Sequence, residues 1–118
     1  MTHFKSIESS DGSSFAIIYS DCTQESISQL IENVFNADGY STKSGNLGDR
    51  TYVKGNRVAR LLLGAFYKYF EFYVGAGEHE GDVIIRVRKA SSGMSGGLIG
   101  VNQVKKELAR LESALRGI

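Results

Sequence analysis

Between Phe66 and Val87 the chain keeps a two-residue rhythm, and that rhythm restricts the fold more than any other feature. Over residues 66–74 the even positions carry Phe66, Phe70, Phe72 and Val74, interrupted by Lys68, while the odd positions carry Tyr67, Tyr69, Glu71 and Tyr73. Over residues 83–87 the apolar set falls on Val83, Ile85 and Val87, with Ile84, Arg86 and Arg88 on the alternate positions. Successive side chains of a strand point to opposite faces, so both runs read as strands with one apolar face. With His79 and Glu80 as the tip of a hairpin, Val74 faces Ile85, Phe72 faces Val87, Glu71 faces Arg88 and Tyr73 faces Arg86. That register joins apolar to apolar and acid to base.

A strand is also expected over Ser14-Phe-Ala-Ile-Ile-Tyr-Ser20, rich in β-branched and aromatic residues and preceded by the turn formers Asp11-Gly-Ser13. A helix follows, capped by Asp21 or Thr23, because Ile27, Leu30, Ile31, Val34 and Phe35 recur at helical spacing and Asn36-Ala-Asp-Gly39 supplies a stop. Further short strands are expected at 40–44 and 50–54 around a Ser44-Gly-Asn-Leu-Gly48 loop. Gly55-Asn56 then reads as a turn into a strand over 57–63, although Val58, Leu61, Leu62, Ala65 and Phe66 also match a helical period. After Lys89, residues 90–97 are too rich in glycine and serine for regular structure. Val101, Val104, Leu108, Leu111 and Leu115 then form one face of a final helix of about four turns, with Lys105, Lys106, Glu107, Arg110 and Glu112 on its other positions.

The elements assemble as an α+β two-layer sandwich in the order β-α-β-β-β-β-α, an antiparallel meander of about four to six strands with both helices on one face. At 118 residues, with no internal repeat or break in composition, the chain reads as one domain spanning 1–118. The element order is similar to that of helix-grip and TATA-box-binding-like folds. The likeness is one of order alone, and no functional residues carry over from it.

Composition removes several function classes. Fourteen basic and thirteen acidic residues give a net charge of +1, so no strong field gathers polyanions. One cysteine excludes an internal disulfide framework and, with two histidines, leaves little for a soft-metal site. No secretory signal opens the sequence, and the most apolar stretch, Val58 to Phe66, is too short to cross a bilayer and contains Arg60. A cytoplasmic protein is therefore expected. Neither Cys22 with His3 or His79 nor the Glu78-His-Glu80 cluster makes a convincing nucleophilic or metal site, so the chain is expected to be no enzyme and to need no metal or cofactor.

Two binding surfaces remain. The first is the outer sheet face, where Tyr67, Tyr69, Tyr73, Arg86 and Arg88 are expected together. Aromatic rings beside guanidiniums suit self-association or a protein partner, while the neutral charge and the absence of an RNA-recognition motif argue against nucleic acid. The second is Lys89 with Ser91, Ser92, Gly93, Ser95, Gly96 and Gly97, whose amides and hydroxyls before a helix can hold an anion. The lysine and Ser/Thr that follow the last glycine of a phosphate-binding loop are missing there. With a groove between Phe66, Phe70, Phe72 and the final helix, this loop makes a carrier or sensor of a small apolar or anionic ligand the alternative reading.

Overall fold

The strands form a single sheet whose central members carry an apolar residue parity, while the Ser41–Asn46 edge strand is polar throughout. In a computed structural model, residues 3–55, 70–90 and 97–118 are described, the last segment with side chains from residue 102 onward. The strands are β1 (Phe4–Ser10), β2 (Ser14–Tyr19), β3 (Ser41–Asn46), β4 (Asp49–Lys54), β5 (Phe70–His79) and β6 (Asp82–Lys89). The helices are α1 (Gln24–Ala37), between β2 and β3, and α2 (Gly97–Leu115), after β6. All neighbours are antiparallel, in the order β1-β2-β6-β5-β4-β3. This is the expected α+β sandwich, with one strand more at its start. Phe4–Ser10 lacks clean alternation because β1 carries two register shifts, which hide its period from the sequence. Of the expected turn at 55–56 only Gly55 is described, with φ +95°; Asn56 and the strand over 57–63 lie outside the described residues.

The inner face is assembled as the rhythm requires. Phe15, Ile17 and Tyr19 of β2, Val83, Ile85 and Val87 of β6, and Phe70, Phe72 and Val74 of β5 are all buried. Against them pack Ile27, Ile31 and Phe35 of α1 and Val104, Leu108, Leu111 and Leu115 of α2. Tyr19 is fully buried, and its hydroxyl donates to the Leu115 carbonyl at 2.7 Å, so the end of α2 gains a polar tether beneath its apolar contacts.

Both ends of α1 are built by local chemistry. Thr23 and Ser26 form a reciprocal capping box. At the other end Gly39 takes φ +94°, its amide donates to Asn36, and the Tyr40 amide reaches back to the Phe35 carbonyl. That pair of bonds is a Schellman closure, and the rings of Phe35 and Tyr40 meet edge-on at 5.0 Å beside it.

Several expectations are corrected. The β5–β6 register is displaced by two residues: Val74 opposes Val87, Phe72 opposes Lys89 and Tyr73 opposes Arg88. The tip is Glu80-Gly81 rather than His79-Glu80, with φ +50° and +88°. Positive φ at both central residues is what a type I′ hairpin turn needs, and glycine supplies one of them at no steric cost. A slip of two leaves every side chain on its expected face, which is why the core prediction survives the wrong register. The Ser44–Gly48 loop is also shorter than expected, since β3 runs to Asn46 and only Leu47-Gly48 turns. On the helices, Leu30 lies on the exposed flank of α1 while Ser28 is buried, and Glu107, expected on the polar side of α2, is buried. α2 begins at Gly97, earlier than the apolar stripe indicates.

Candidate functional site

The outer face is set by the other parity of the same strands. Register places Ser14, Arg88, Tyr73 and Thr51 side by side on β2, β6, β5 and β4, with Ala16, Arg86, Gly75 and Asp49 in the neighbouring row. Of the five residues expected on this face, Tyr73, Arg86 and Arg88 are brought together; Tyr67 and Tyr69 lie outside the described residues.

Tyr73 is held from two directions. The Arg88 guanidinium lies 4.6 Å from its ring centroid, and its hydroxyl donates to Asp49 Oδ1. The ring leans across Gly75, where an added Cβ would come 3.0 Å from it, so the glycine makes room for the tyrosine to lie along the sheet. The hydrogen bond to the Asp49 carboxylate, then burial and that carboxylate's charge, raise the Tyr73 phenol above its ordinary value, so it stays a neutral donor. Arg86 keeps 61% of its side-chain surface exposed and among the described residues meets Glu8 at 4.0 Å.

Around this centre run further charge pairs. Lys5 meets Asp82 at 2.6 Å and Lys43 meets Glu71 at 2.9 Å. Lys5 and Glu8 on β1 and Lys43 on β3 occupy the positions where the register slips, so the bulged residues of both edge strands are charged and paired with β5 or β6. Bulges and charges of this kind make an edge a poor template for another strand. Glu71 was expected opposite Arg88; it is buried instead and answers Lys43. The face is not polar throughout, because Ala16, Ile18 and Ile84 form a small second buried cluster on it.

The second expected surface is only partly described. Lys89 is exposed at the end of β6, with its amide donating to Ser13, and Gly97 opens α2. Ser91, Ser92, Gly93, Ser95 and Gly96 lie outside the described residues. Nearby, a cleft of about 310 Å³ is lined by Asp11, Gly12, Phe15, Lys105, Leu108, Ala109 and Glu112, between the β1–β2 turn and α2.

For chemistry, the described residues offer little. Among them no group of three or more His, Cys, Asp or Glu is placed to hold a metal ion, and no helix is long and apolar enough to cross a membrane. Burial, with Asp21 and Asp82 nearby, pushes the Cys22 thiol up, away from the thiolate a nucleophile needs. His3 is half-buried and its Nδ1 sits 3.1 Å from the Ser20 carbonyl, while His79 closes β5 opposite Asp82.

Sequence reasoning missed the most extended polar network among the described residues. Tyr40 donates to Glu107 Oε2 at 2.6 Å, Arg110 donates from Nε to Glu107 Oε1 at 2.9 Å, and Arg110 also grips Asp38 with two nitrogens. Lys54 stands 3.6 Å from Asp38 and over the Tyr40 ring. Burial acts to raise the Glu107 carboxyl, but hydrogen bonds from Arg110 and Tyr40 and the charge of Arg110 outweigh it and hold the group below the usual carboxylate range. The signal was present in the sequence: Glu107 lies three residues after Val104 and four before Leu111, inside the apolar stripe.

In comparison with known proteins, no family model matches this chain and no curated protein matches it at a significant level.

Proposed function

We propose that this chain is a non-enzymatic binding module whose partner is a second copy of itself, met through the outer sheet face at Tyr73, Arg86 and Arg88. The observation that carries the reading is the fixed Tyr73, stacked under Arg88 and tied to Asp49. Tyrosine and arginine are the residues that concentrate interface energy, and a ring already held in place gives up little freedom on docking. Charge favours a copy over a polyanion. Lys5, Lys43, Arg86 and Arg88 on this face are matched by Glu8, Asp49, Glu71 and Asp82, a balance that a two-fold partner can complement. The bulged, charged edges turn association toward the face rather than toward strand addition. The same reading extends to a different protein partner of similar surface, and the compartment it assumes is the cytoplasm.

Sedimentation velocity over a hundredfold concentration range tests it. A concentration-dependent dimer that the Tyr73→Ala, Arg86→Ala double variant returns to monomer supports the proposal. A strict monomer at every concentration, indifferent to that variant in pull-downs, overturns it.

A second reading, a carrier or sensor of a small apolar or anionic ligand, draws support from the 310 Å³ cleft, where Phe15 and Leu108 supply an apolar floor and Lys105 a cation at the rim. Native mass spectrometry of the protein as purified separates the two, since retained small-molecule mass favours the second.

A further inference from the structure

We propose that a cleft between the first turns of α1 and the β3–β4 turn binds a small organic cation, an alkylammonium or guanidinium compound. It has a volume of about 600 Å³ and is lined by Gln24, Glu25, Ser28, Asn46, Leu47, Gly48, Asp49 and Ala76. That volume is within the range of small-molecule sites and far larger than a bare metal ion needs.

Two observations give the cleft its chemistry. Ser28 is 5% exposed, and its hydroxyl has no hydrogen-bond partner among the described residues. A buried hydroxyl left unpaired is costly, so a group at this position calls for a partner from outside the chain. It faces Gly48, where an added Cβ would come 3.2 Å from Ser28 Oγ, and Gly48 holds φ +87° with its carbonyl bound by the Ala76 amide at 2.7 Å. The turn is thus fixed with Gly48, which carries no side chain, directly against the hydroxyl. The second observation is charge. The lining carries the carboxylates of Glu25 and Asp49 and no lysine, arginine or histidine. Among the described residues Glu25 makes no ion pair, and Asp49 spends one oxygen on Tyr73.

At the positive end of α1, Thr23 Oγ1 accepts from the Ser26 amide and Ser26 Oγ from the Thr23 amide, and the Glu25 carboxylate in the first turn offsets the dipole. The lining offers acceptors in two carboxylates, the Gln24 and Asn46 amide oxygens and the Ser28 oxygen, beside the neutral donors of the two amides and the hydroxyl. A cation bearing several N–H donors fits that set.

The test is a ¹⁵N–¹H titration of the full chain with putrescine, run at constant ionic strength beside its neutral isostere 1,4-butanediol and beside calcium chloride. Saturable shifts confined to residues 24–28 and 46–49, at least tenfold weaker with the diol, are the expected result. Ser28→Ala removes an unpaired hydroxyl and so leaves the fold intact, yet it is expected to weaken putrescine at least fivefold, as is Glu25→Gln. The proposal is overturned if the shifts never saturate, if the diol or calcium reproduces them, or if Ser28→Ala leaves them unchanged. The oligomeric state plays no part in this readout, so it stands or falls apart from self-association.

Discussion

At the scale of single residues, the energetic weight falls on polar side chains that the core encloses. Glu107 is ionised in a buried setting only because Tyr40 and Arg110 supply donors to both its oxygens. Its folded carboxyl titrates below the unfolded value of about 4.3, so its contribution is complete above that pH and is lost as pH falls through the lower folded value. Glu32, bonded by Arg50 and Tyr52, is lowered in the same direction despite burial acting against it, and adds to the same acid limb. Glu107→Gln is expected to flatten the loss of stability between about pH 5 and pH 2, measured by urea unfolding at a series of pH values. Glu107→Ala leaves the Tyr40 hydroxyl buried without an acceptor, and is expected to cost about 2 kcal/mol at pH 7 by the same method.

At the scale of elements, turns and bulges decide what each strand can do. Gly81 and Gly45 both take φ near +90°, but their surroundings differ. Nothing lies within 4 Å of a Cβ added at Gly81, whereas one at Gly45 would meet the Asp49 carbonyl oxygen at 2.2 Å. Gly81→Ala should therefore cost only the left-handed penalty of about 1–2 kcal/mol. Gly45→Ala must also displace the facing strand, and thermal unfolding is expected to show a distinctly larger loss. The same elements explain the limits of the sequence reading. A two-residue slip of β5 on β6 changes no face, so hydropathy cannot detect it; the backbone demands of Glu80-Gly81 decide it instead. β1 and β3 carry bulged residues that break the period on which a strand is recognised.

At the scale of the whole molecule, the sheet's centre is sheltered on its inner face by both helices, and its edges are not. Core residues of β2, β5 and β6 are buried at 0–8% exposure, while every residue of β3 is exposed. Native-state hydrogen exchange is expected to be slowest at amides of β2, β5 and β6 and to approach local fraying rates in β3. Leu111 is fully buried between α2 and the sheet, so Leu111→Ala should remove about 2–5 kcal/mol and lower protection throughout those three strands together.

The amino-acid order alone determined the fold class, the inward parity of residues 70–87 and the two amphipathic helices, because side-chain direction follows from local period and burial rewards any apolar stripe. It also brought Tyr73, Arg86 and Arg88 to one surface, since parity survives a register error. Tertiary structure decided what parity does not encode: that Tyr73 opposes Arg88, that Glu71 turns to Lys43, and that Ser28 and Glu107 are enclosed. These depend on which distant backbone arrives beside each side chain. A charged residue beside an apolar stripe is buried without a large penalty when a distant partner, as Tyr40 is for Glu107, meets it at hydrogen-bonding distance.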